Sequence, residues 1–556
     1  MWGDVVKWLG HRLGVLWAGL VLGGAGGLLV ESMGQRAIAA ERLTISYGLL
    51  SRSVSLDGLV AYADRGELDD ELYVYTRYVT PEQRELLRRS LRLKADLSVV
   101  AVSQFLYSPQ GQIVLQRLGD VVQPESRDNG LYAIRAALIM AAADAEGLTP
   151  LNVLRKFPTP GIRLDLQKTL EITAALDDVV RQTNQAAQQI AAQTEQNLAA
   201  ETLPQPLANL TMPGLVSWAR QELFLEDRSR VAISGFARIR PVRFYVYGPR
   251  LRQAAKTPVV VISHGLGSDR GSFAYLAEHL ASHGYTVVVP AHPGSDANQM
   301  AALLRGRADE VAAPVEFIDR PLDVKFILDY LQADPRWNFA DWNNVGVLGQ
   351  SFGGYTALAL AGATLNFDRL AQECESGKQL VTLNISLLLQ CRAAELPRQP
   401  YAIADARVKA IVTANAVSSV VFGPDGLAPV QVPTLMISGK ADTVAPALLE
   451  QMRSFSWLTA PERYLALVDR STHFSFLAES PEGEGVQLQL PTEVVGPSPA
   501  TNQRYLSALS LAFFQRHLQQ QVSYQPYLTG RYGRSLSRDP LRIDLVRSLS
   551  IEDLPK

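Results

Sequence analysis

The spacing of apolar residues changes along the chain. Between about residues 40 and 200, apolar side chains recur every three to four positions, which predicts helices. Thr80 and Thr149 are each followed by Pro, and Thr before Pro is a typical N-cap at a helix start. This pattern predicts an all-α domain over residues 40–200. We recognise no nucleophile with a base, no metal-ligand cluster and no phosphate-binding loop in it, so the sequence predicts no activity for this domain.

A second pattern follows a Pro-bearing segment at residues 201–214, which predicts a linker. The Gln/Ala-rich run before it, residues 182–200, has few large apolar side chains and predicts a solvated helix or part of that linker. Beyond the linker, short β-rich runs alternate with helical segments, and several are continuously apolar, as in parallel strands covered on both faces. The predicted strands lie at residues 243–248, 259–265, 286–292, 345–351, 408–415, 434–442 and 464–469. They predict an α/β fold with a doubly wound, mostly parallel sheet over residues 215–522, followed by a C-terminal extension at 523–556.

The N-terminus carries an export signal or an anchor. Residues 13–30 are apolar and uncharged, basic residues precede them, and Ala37-Ile38-Ala39 provides a small-residue cleavage motif. This combination predicts a secretory signal peptide over residues 1–39. Eighteen apolar residues also just span a bilayer, so an uncleaved membrane anchor is the second interpretation. Both interpretations predict an exported protein, periplasmic or extracellular, with membrane association through residues 13–30 in the second case.

Composition narrows the class of protein. The chain has 53 Lys and Arg against 55 Asp and Glu, a net charge of −2, which argues against a dedicated nucleic-acid binder. The two cysteines are too few for a disulfide scaffold or a four-cysteine zinc site. The histidines are scattered, and the glycine patterns of nucleotide-binding loops are absent, so the sequence predicts no metal and no cofactor.

The most informative motif is Gly349-Gln350-Ser351-Phe352-Gly353, which lies between a predicted strand and a predicted helix. In that context G-x-S-x-G is the nucleophile elbow, where glycines permit a tight turn that presents the serine above the sheet. The pattern alone occurs often by chance, but the flanking strand and helix make it specific. We therefore expect Ser351 to be a nucleophile, with Gly349 and Gly353 forming the elbow.

A serine nucleophile needs a base and an acid, which in this fold follow it in the order acid, then histidine. His473 follows the last predicted strand, whereas His517 lies in a strongly apolar helix, so we expect His473 to be the base. Asp442 ends the preceding predicted strand and is the expected acid, while Asp469 has a structural interpretation. We expect the backbone N–H groups of Phe352 and of Leu266, the latter in the segment 263–267 that follows the apolar run 259–262, to form an oxyanion hole.

Several further residues are candidates for an apolar acyl pocket. This predicted pocket consists of Phe273, Phe352, Phe474 and Phe476. His292 follows a predicted strand and either lines the pocket or faces solvent, and we expect His264 to hold its loop in shape. An insertion at about residues 364–405 either forms a lid or packs structurally. It contains both cysteines, and Cys374 and Cys391 form either a disulfide or two free thiols.

The motifs SHGLG, LASHGYTVVVPAHPGS, GQSFGG and SGKAD resemble the α/β-hydrolase family of platelet-activating-factor acetylhydrolases and related dienelactone-hydrolase-like and polyester-hydrolase-like esterases, over roughly residues 220–520. The region from about residue 40 to residue 200 resembles a domain of unknown function that is fused to such hydrolases in cyanobacteria. The resemblance implies a serine esterase with the triad Ser351, Asp442 and His473 and with oxyanion donors at Leu266 and Phe352. Dienelactone hydrolases proper carry cysteine in place of Ser351. Animal acetylhydrolases carry their acid where this chain has Asn415, which leaves a phospholipid substrate open.

The sequence therefore predicts an exported, cofactor-independent serine hydrolase that cleaves carboxylic esters, with lipid or short-chain acyl esters as substrates and no nucleic-acid partner. A peptidase that uses the same triad is one alternative. A non-catalytic binding module that keeps the hydrolase fold is the other.

Overall fold

The computed structural model describes residues 39–231, 235–251, 256–374, 384–478 and 492–555. The described residues form two compact units, one containing those up to Asp177 together with Met300–Val311, the other containing Asp178–Gln299 and those from Ala312 onward. The predicted signal or anchor segment at residues 13–30 lies outside the described residues. Within the described ranges, no helix combines the length and apolar character needed to span a bilayer.

The first unit is a mixed α/β structure, so the prediction of an all-α domain is wrong. It has a four-stranded sheet in the order β2-β1-β4-β3, in which only β1 and β4 run parallel. The strands are Arg42–Tyr47 (β1), Leu50–Ser55 (β2), Val122–Pro124 (β3) and Gly161–Asp165 (β4). Its helices are Leu56–Arg65 (α1), Asp70–Tyr73 (α2), Pro81–Leu91 (α3), Val99–Tyr107 (α4), Pro109–Val121 (α5), Leu131–Ala143 (α6) and Pro150–Arg155 (α7). Each strand has only three to six residues, which is too short for its alternation to stand out among helical segments.

Both predicted helix starts in this unit are confirmed. The Thr80 hydroxyl accepts a hydrogen bond from the N–H of Gln83 and completes a capping box at the start of α3. The Thr149 hydroxyl accepts one from the N–H of Asn152 at the start of α7. In each case the side chain satisfies a backbone donor that has no partner inside the helix.

The Gln/Ala-rich run belongs to a long helix, Leu166–Leu198 (α8), so the predicted helix is confirmed, and most of its positions are exposed or half-buried. The alternative of a linker is wrong, because one face of the helix is buried. Ala186 and Ile190 are fully buried in the core of the second unit. Their small and branched side chains lie one turn apart and so form a narrow apolar stripe among glutamines. The division between the compact units accordingly falls at Asp177, inside this helix, and not at residue 200.

The second unit is built on a nine-stranded sheet in the order β13-β12-β11-β10-β9-β7-β8-β6-β5. The strands are Trp218–Val231 (β5), Ala237–Pro249 (β6), Thr257–Ser263 (β7), Thr286–Pro290 (β8), Ala340–Gln350 (β9), Val408–Ala414 (β10), Thr434–Gly439 (β11), Arg463–Val468 (β12) and Ile543–Val546 (β13). Strands β7 to β12 run parallel, and β5, β6 and β13 are antiparallel to their neighbours. All seven predicted strands are confirmed. Strand β13 lies in the predicted C-terminal extension, which therefore contributes to the sheet.

Helices pack against both faces of this sheet. The helices after α8 are Ala274–Ser282 (α9), Ala297–Leu304 (α10), Glu316–Ala333 (α11), Phe352–Leu360 (α12), Phe367–Glu373 (α13), Leu387–Gln390 (α14), Ser419–Leu427 (α15), Arg453–Trp457 (α16), Thr492–Val495 (α17), Pro499–His517 (α18) and Gly530–Leu536 (α19). Short 3₁₀ helices lie at Val74–Tyr78, Arg270–Phe273, Pro335–Trp337, Cys391–Glu395, Val522–Leu528 and Ile551–Asp553, and a π-helix lies at Ala447–Met452. Alternate strand residues divide between two cores, one with α11 and α12 and the other with α9 and α18. Burial on both faces explains the continuously apolar strands.

Candidate active site

Ser351 lies at the sharp turn between β9 and α12, at the carboxyl end of the sheet. Its φ of 55° and ψ of −117° are strained for a residue with a side chain. The backbone N–H of Ser351 donates to the carbonyl of Ala414 at 2.9 Å, which ties the turn to the end of β10. The neighbouring strand therefore holds the strained conformation and keeps the serine at the top of the sheet.

The two elbow glycines are required by close backbone contacts. A Cβ added at Gly349 would lie 1.9 Å from the carbonyl oxygen of Gly353. A Cβ added at Gly353 would lie 1.9 Å from the carbonyl oxygen of Ser263, at the end of β7. Both distances are far inside van der Waals contact and involve backbone, which cannot move aside as a flexible side chain can. The motif thus fixes the turn and its fit against the next strand.

Ser351, His473 and Asp442 form one hydrogen-bonded row. The Ser351 Oγ lies 2.9 Å from Nε2 of His473, and Nδ1 of His473 lies 2.7 Å from Oδ2 of Asp442. Residue exposure is 7% for Ser351, 4% for His473 and 5% for Asp442, so the row is almost shielded from water. In such a row the imidazole can accept the serine proton, while the carboxylate fixes the tautomer that makes this transfer possible.

The carboxylate of Asp442 is oriented by backbone donors. Its Oδ1 accepts hydrogen bonds from the N–H groups of Val444 at 2.8 Å and Ala445 at 2.7 Å, which leaves Oδ2 for His473. Asp469 forms an ion pair with Lys440 at 2.6 Å instead. The structure therefore brings the predicted acid to the histidine and gives the alternative aspartate a different partner.

Two polar side chains that the sequence analysis did not assign to the site hold the histidine loop. The Gln350 amide donates to the carbonyl of His473 at 3.1 Å. The Asn415 amide donates to the carbonyl of Thr472 at 3.0 Å and accepts from the N–H of Gly439 at 2.8 Å. Asn415 thus joins the ends of β10 and β11 to the loop that carries His473. The sequence signals for this role were its position at the end of a predicted strand and its place where animal acetylhydrolases carry their acid.

The loop after β7 passes beside the serine. A Cβ added at Gly265 would lie 3.2 Å from the Cβ of Ser351. Within the described residues, the N–H groups of Leu266 and Phe352 donate to no other protein group, so both are available to a ligand at Ser351. Backbone donors next to a nucleophilic serine can stabilise the negative charge of a tetrahedral intermediate.

His264 holds this loop, as the sequence analysis predicts. Its Nδ1 donates to the carbonyl of Gly265 at 2.8 Å, and its Nε2 accepts from the backbone N–H of His292 at 3.2 Å. Complete burial and the nearby Arg320 cation lower the pKa of His264 well below its ordinary value, so the ring is neutral. A neutral ring is the form that both hydrogen bonds require.

Four of the five predicted pocket residues are buried elsewhere. Phe273 and Phe476 are fully buried in the core beneath one face of the sheet, and Phe352 is fully buried in the core on the other face. His292 neither lines a pocket nor faces solvent, because it is buried between Ser263 and Asp323, at 3.0 Å from each. Phe474 is half-buried, with its ring centre 5.1 Å from that of His473. Sequence alone did not show which way these side chains point.

The insertion contains a disulfide between Cys374 and Cys391, whose Cα atoms are 5.4 Å apart. It lies against the loop of the acid, since the N–H of Ser386 donates to the carbonyl of Val444 at 2.8 Å. Val444 also donates to the Asp442 carboxylate. The described part of the insertion therefore packs on the site and supports the position of the acid.

Glu450 joins the insertion to the sheet. Its side chain is fully buried in the π-helix Ala447–Met452. One carboxylate oxygen accepts from the N–H groups of Ser418 and Ser419, both at 2.9 Å. The other accepts from Ser386 Oγ at 3.0 Å and Gln390 Nε2 at 2.7 Å. This carboxylate has hydrogen-bond donors on both oxygens, and these donors satisfy its charge in place of a cation.

No group of three or more His, Cys, Asp or Glu side chains in the described part of the chain is arranged to hold a metal ion. Two family models match parts of the sequence. Residues 39–165 match an alpha/beta hydrolase of unknown function (DUF1400), and residues 243–318 match platelet-activating factor acetylhydrolase, isoform II. The second match includes the Leu266 loop, whereas Ser351, Asp442 and His473 lie outside both matches. No curated protein matches the chain. The two matches support an α/β-hydrolase family for this protein, in agreement with the resemblance of its motifs.

Proposed function

We propose that this protein is an exported serine hydrolase that cleaves carboxylic esters, with Ser351 as nucleophile, His473 as base and Asp442 as the acid that orients it. The observation that supports this most directly is the hydrogen-bonded row from Ser351 through His473 to Asp442, next to two available backbone N–H groups. Helices on both faces of the sheet support the doubly wound arrangement in which such a site lies at the carboxyl ends of the strands.

In the proposed reaction the Nε2 of His473 takes the proton of Ser351 Oγ while Oγ bonds to the ester carbonyl carbon. The carbonyl oxygen becomes an oxyanion that accepts from the N–H groups of Leu266 and Phe352. When the bond to the alkoxy group breaks, His473 returns its proton to the departing alcohol and an acyl-enzyme remains. Water that gives a proton to His473 then attacks the acyl carbon, and Ser351 regains its proton when the acid leaves.

We infer that the substrate carries an apolar acyl or lipid group. Phe474 places an aromatic ring beside His473. The match of residues 243–318 to platelet-activating factor acetylhydrolase supports an acyl ester of a lipid as the substrate class. Export is supported by the disulfide between Cys374 and Cys391, because disulfides persist in oxidising compartments, and by the apolar segment at residues 13–30.

The test is hydrolysis of p-nitrophenyl esters from C2 to C16 by the wild type and by Ser351→Ala, together with labelling by a fluorophosphonate. We expect turnover and labelling in the wild type and loss of both in Ser351→Ala. Ser507→Ala, a buried serine in α18, is the matched control and should behave like the wild type. Cleavage of p-nitroanilides at rates near those of the esters would favour a peptidase. Absence of turnover and labelling in a folded wild type would leave the non-catalytic binding module.

A further inference from the structure

A fully buried arginine links the two segments that carry the proposed oxyanion donors. Arg320 lies in α11, and its side chain is 0% exposed. It occurs in the helix sequence Glu316-Phe317-Ile318-Asp319-Arg320, where charged residues three to four apart would ordinarily form a solvent-exposed face. Such a large buried cation needs a structural or functional reason, because burial of a charge is costly unless every donor finds a partner.

On one side, Arg320 holds both ends of the loop after β7. Its Nη2 donates to the carbonyl of His264 and, at 3.3 Å, to Ser263 Oγ. Its Nη1 donates to Ser295 Oγ at 2.9 Å, and the carbonyl of Ser295 accepts from the N–H of Gly267 at 2.9 Å. Leu266 lies between these two attachment points, so the position of its N–H depends on the guanidinium.

On the other side, Arg320 holds the start of the elbow helix α12. Its Nε donates to Thr356 Oγ1 at 3.2 Å, and that hydroxyl donates to the carbonyl of Phe352 at 3.0 Å. The Arg320 Cζ also lies 4.6 Å from the centre of the Phe352 ring, within the range of a cation–π interaction. Phe352 is the second proposed oxyanion donor, so one rigid, planar group contacts the supports of both.

The charge of Arg320 is not neutralised by direct contact. Within the described ranges its donors meet only hydroxyl and carbonyl oxygens, while two acidic groups whose charges act on it, Glu316 and Asp323, form ion pairs with Arg240. Burial lowers the pKa of Arg320, and the negative charges of Glu316 and Asp323 oppose this shift. The Arg320 cation therefore contributes positive electrostatic potential at the N–H groups of Leu266 and Phe352, next to which an oxyanion would form.

We propose that Arg320 is the positioning residue of the oxyanion hole: it sets the spacing of the Leu266 and Phe352 N–H groups and adds positive potential beneath them. This inference rests on the proposed function. The fork geometry of the guanidinium makes the three-way attachment, which the single ammonium group of lysine cannot reproduce. Loss of the correct donor spacing should lower kcat on the order of 10²-fold, as loss of one oxyanion donor does, with a much smaller effect on KM.

The experiment measures kcat, KM and the inhibition constant of a trifluoromethyl ketone, which forms a tetrahedral oxyanion adduct with serine hydrolases. Arg320→Lys should lower kcat and weaken the ketone by similar factors while KM changes less than threefold. Arg407→Lys is the matched control, because Arg407 is also shielded and pairs with Asp405 but lies away from the loop. A folded Arg320→Lys with kcat and ketone affinity within threefold of the wild type would overturn the proposal.

Thr356 provides a second variant that leaves the arginine in place. Thr356→Val removes the hydroxyl between Arg320 and Phe352, and we expect it to lower kcat and ketone affinity together, whereas Thr356→Ser should keep both. If Thr356→Val and Thr356→Ser have equal kcat and equal ketone affinity, the proposed link between Arg320 and Phe352 is contradicted. This comparison remains decisive even if Arg320→Lys fails to fold. If the wild type itself shows neither turnover nor labelling of Ser351, the proposed function fails and this inference fails with it. If the wild type is active and the Arg320 and Thr356 variants have wild-type kcat and ketone affinity, only the inference about Arg320 is refuted and the proposed function stands.

Discussion

The substitution Asp442→Asn tests the proposed site most sharply, because the surroundings of the carboxylate fix the orientation of the new amide. Oδ1 accepts from the backbone N–H groups of Val444 and Ala445, at 2.8 and 2.7 Å. An amide NH₂ group at the position of Oδ1 would face these two N–H donors, so the amide oxygen of the variant must occupy that position. Its NH₂ group then faces Nδ1 of His473, which is 2.7 Å from the carboxylate in the native protein.

This orientation reverses the tautomer of His473. An NH₂ donor requires Nδ1 to be the acceptor, so the ring proton moves to Nε2 and points toward the Oγ of Ser351, 2.9 Å away. The ring can then no longer accept the serine proton. A comparable exchange in another serine hydrolase lowers kcat about 10⁴-fold, which corresponds to about 5.5 kcal/mol in the activation free energy. The backbone hydrogen bonds are kept, so thermal stability should change little.

The assay is steady-state hydrolysis of p-nitrophenyl acetate, with melting temperature and the proton NMR signal of the His473 Nδ1–H recorded for each variant. Asp469→Asn is the matched control, since Asp469 lies four residues before His473 and pairs with Lys440. We expect it to keep at least half of the wild-type kcat. A folded Asp442→Asn that retains more than about 1% of kcat, against the expected loss of about 10⁴-fold, would refute the assignment of the acid.

Three further predictions concern the structure around the site. In Gly353→Ala the new Cβ would lie 1.9 Å from the carbonyl oxygen of Ser263, so the variant should lose activity and about 1–3 kcal/mol or more of its free energy of unfolding. Chemical denaturation and ester hydrolysis check this, and a fully active variant would contradict it. Glu450→Gln puts an amide NH₂ group among hydrogen-bond donors, so it should destabilise the protein by about 3 kcal/mol and lower the melting temperature. An unchanged melting temperature would show that the carboxylate is dispensable. The double variant Cys374→Ser, Cys391→Ser opens a loop with a sequence separation of 17 and should lower the free energy of unfolding by about 3 kcal/mol. The reduced wild type should melt at the same temperature as this variant, and a difference would mean that the serines themselves perturb the fold.

The parts of the site that the sequence predicts are those encoded by local patterns. The elbow combines a short motif with a strand before it and a helix after it, so Ser351 and its glycines could be read directly. Asp442 and His473 followed from their order along the chain and from their place after apolar strands. The strands could be predicted from the sequence because burial on both faces of the sheet leaves few polar positions in them.

What the sequence does not reveal depends on which neighbour a side chain meets. Phe273 has the same chemistry whether it lines a cleft or lies in the core, and only the packing of the sheet decides between them. Arg320 lies on a charged helix stripe that resembles a solvent-exposed face but is buried against β7 and the elbow helix. The first unit shows the same difficulty in its backbone, because strands of a few residues leave too little alternation to be distinguished from helix.

The outer edge of β12 has a consequence for how the chain is made. That edge is covered by β13, which pairs Val468 with Ile543 and Leu465 with Val546. β12 leaves the ribosome well before β13, so during synthesis a row of unpaired N–H and C=O groups stands along an apolar strand. A chain that stops before Ile543 would keep this edge open and pair with other copies of itself. Premature termination should therefore produce aggregates, and not a soluble inactive enzyme.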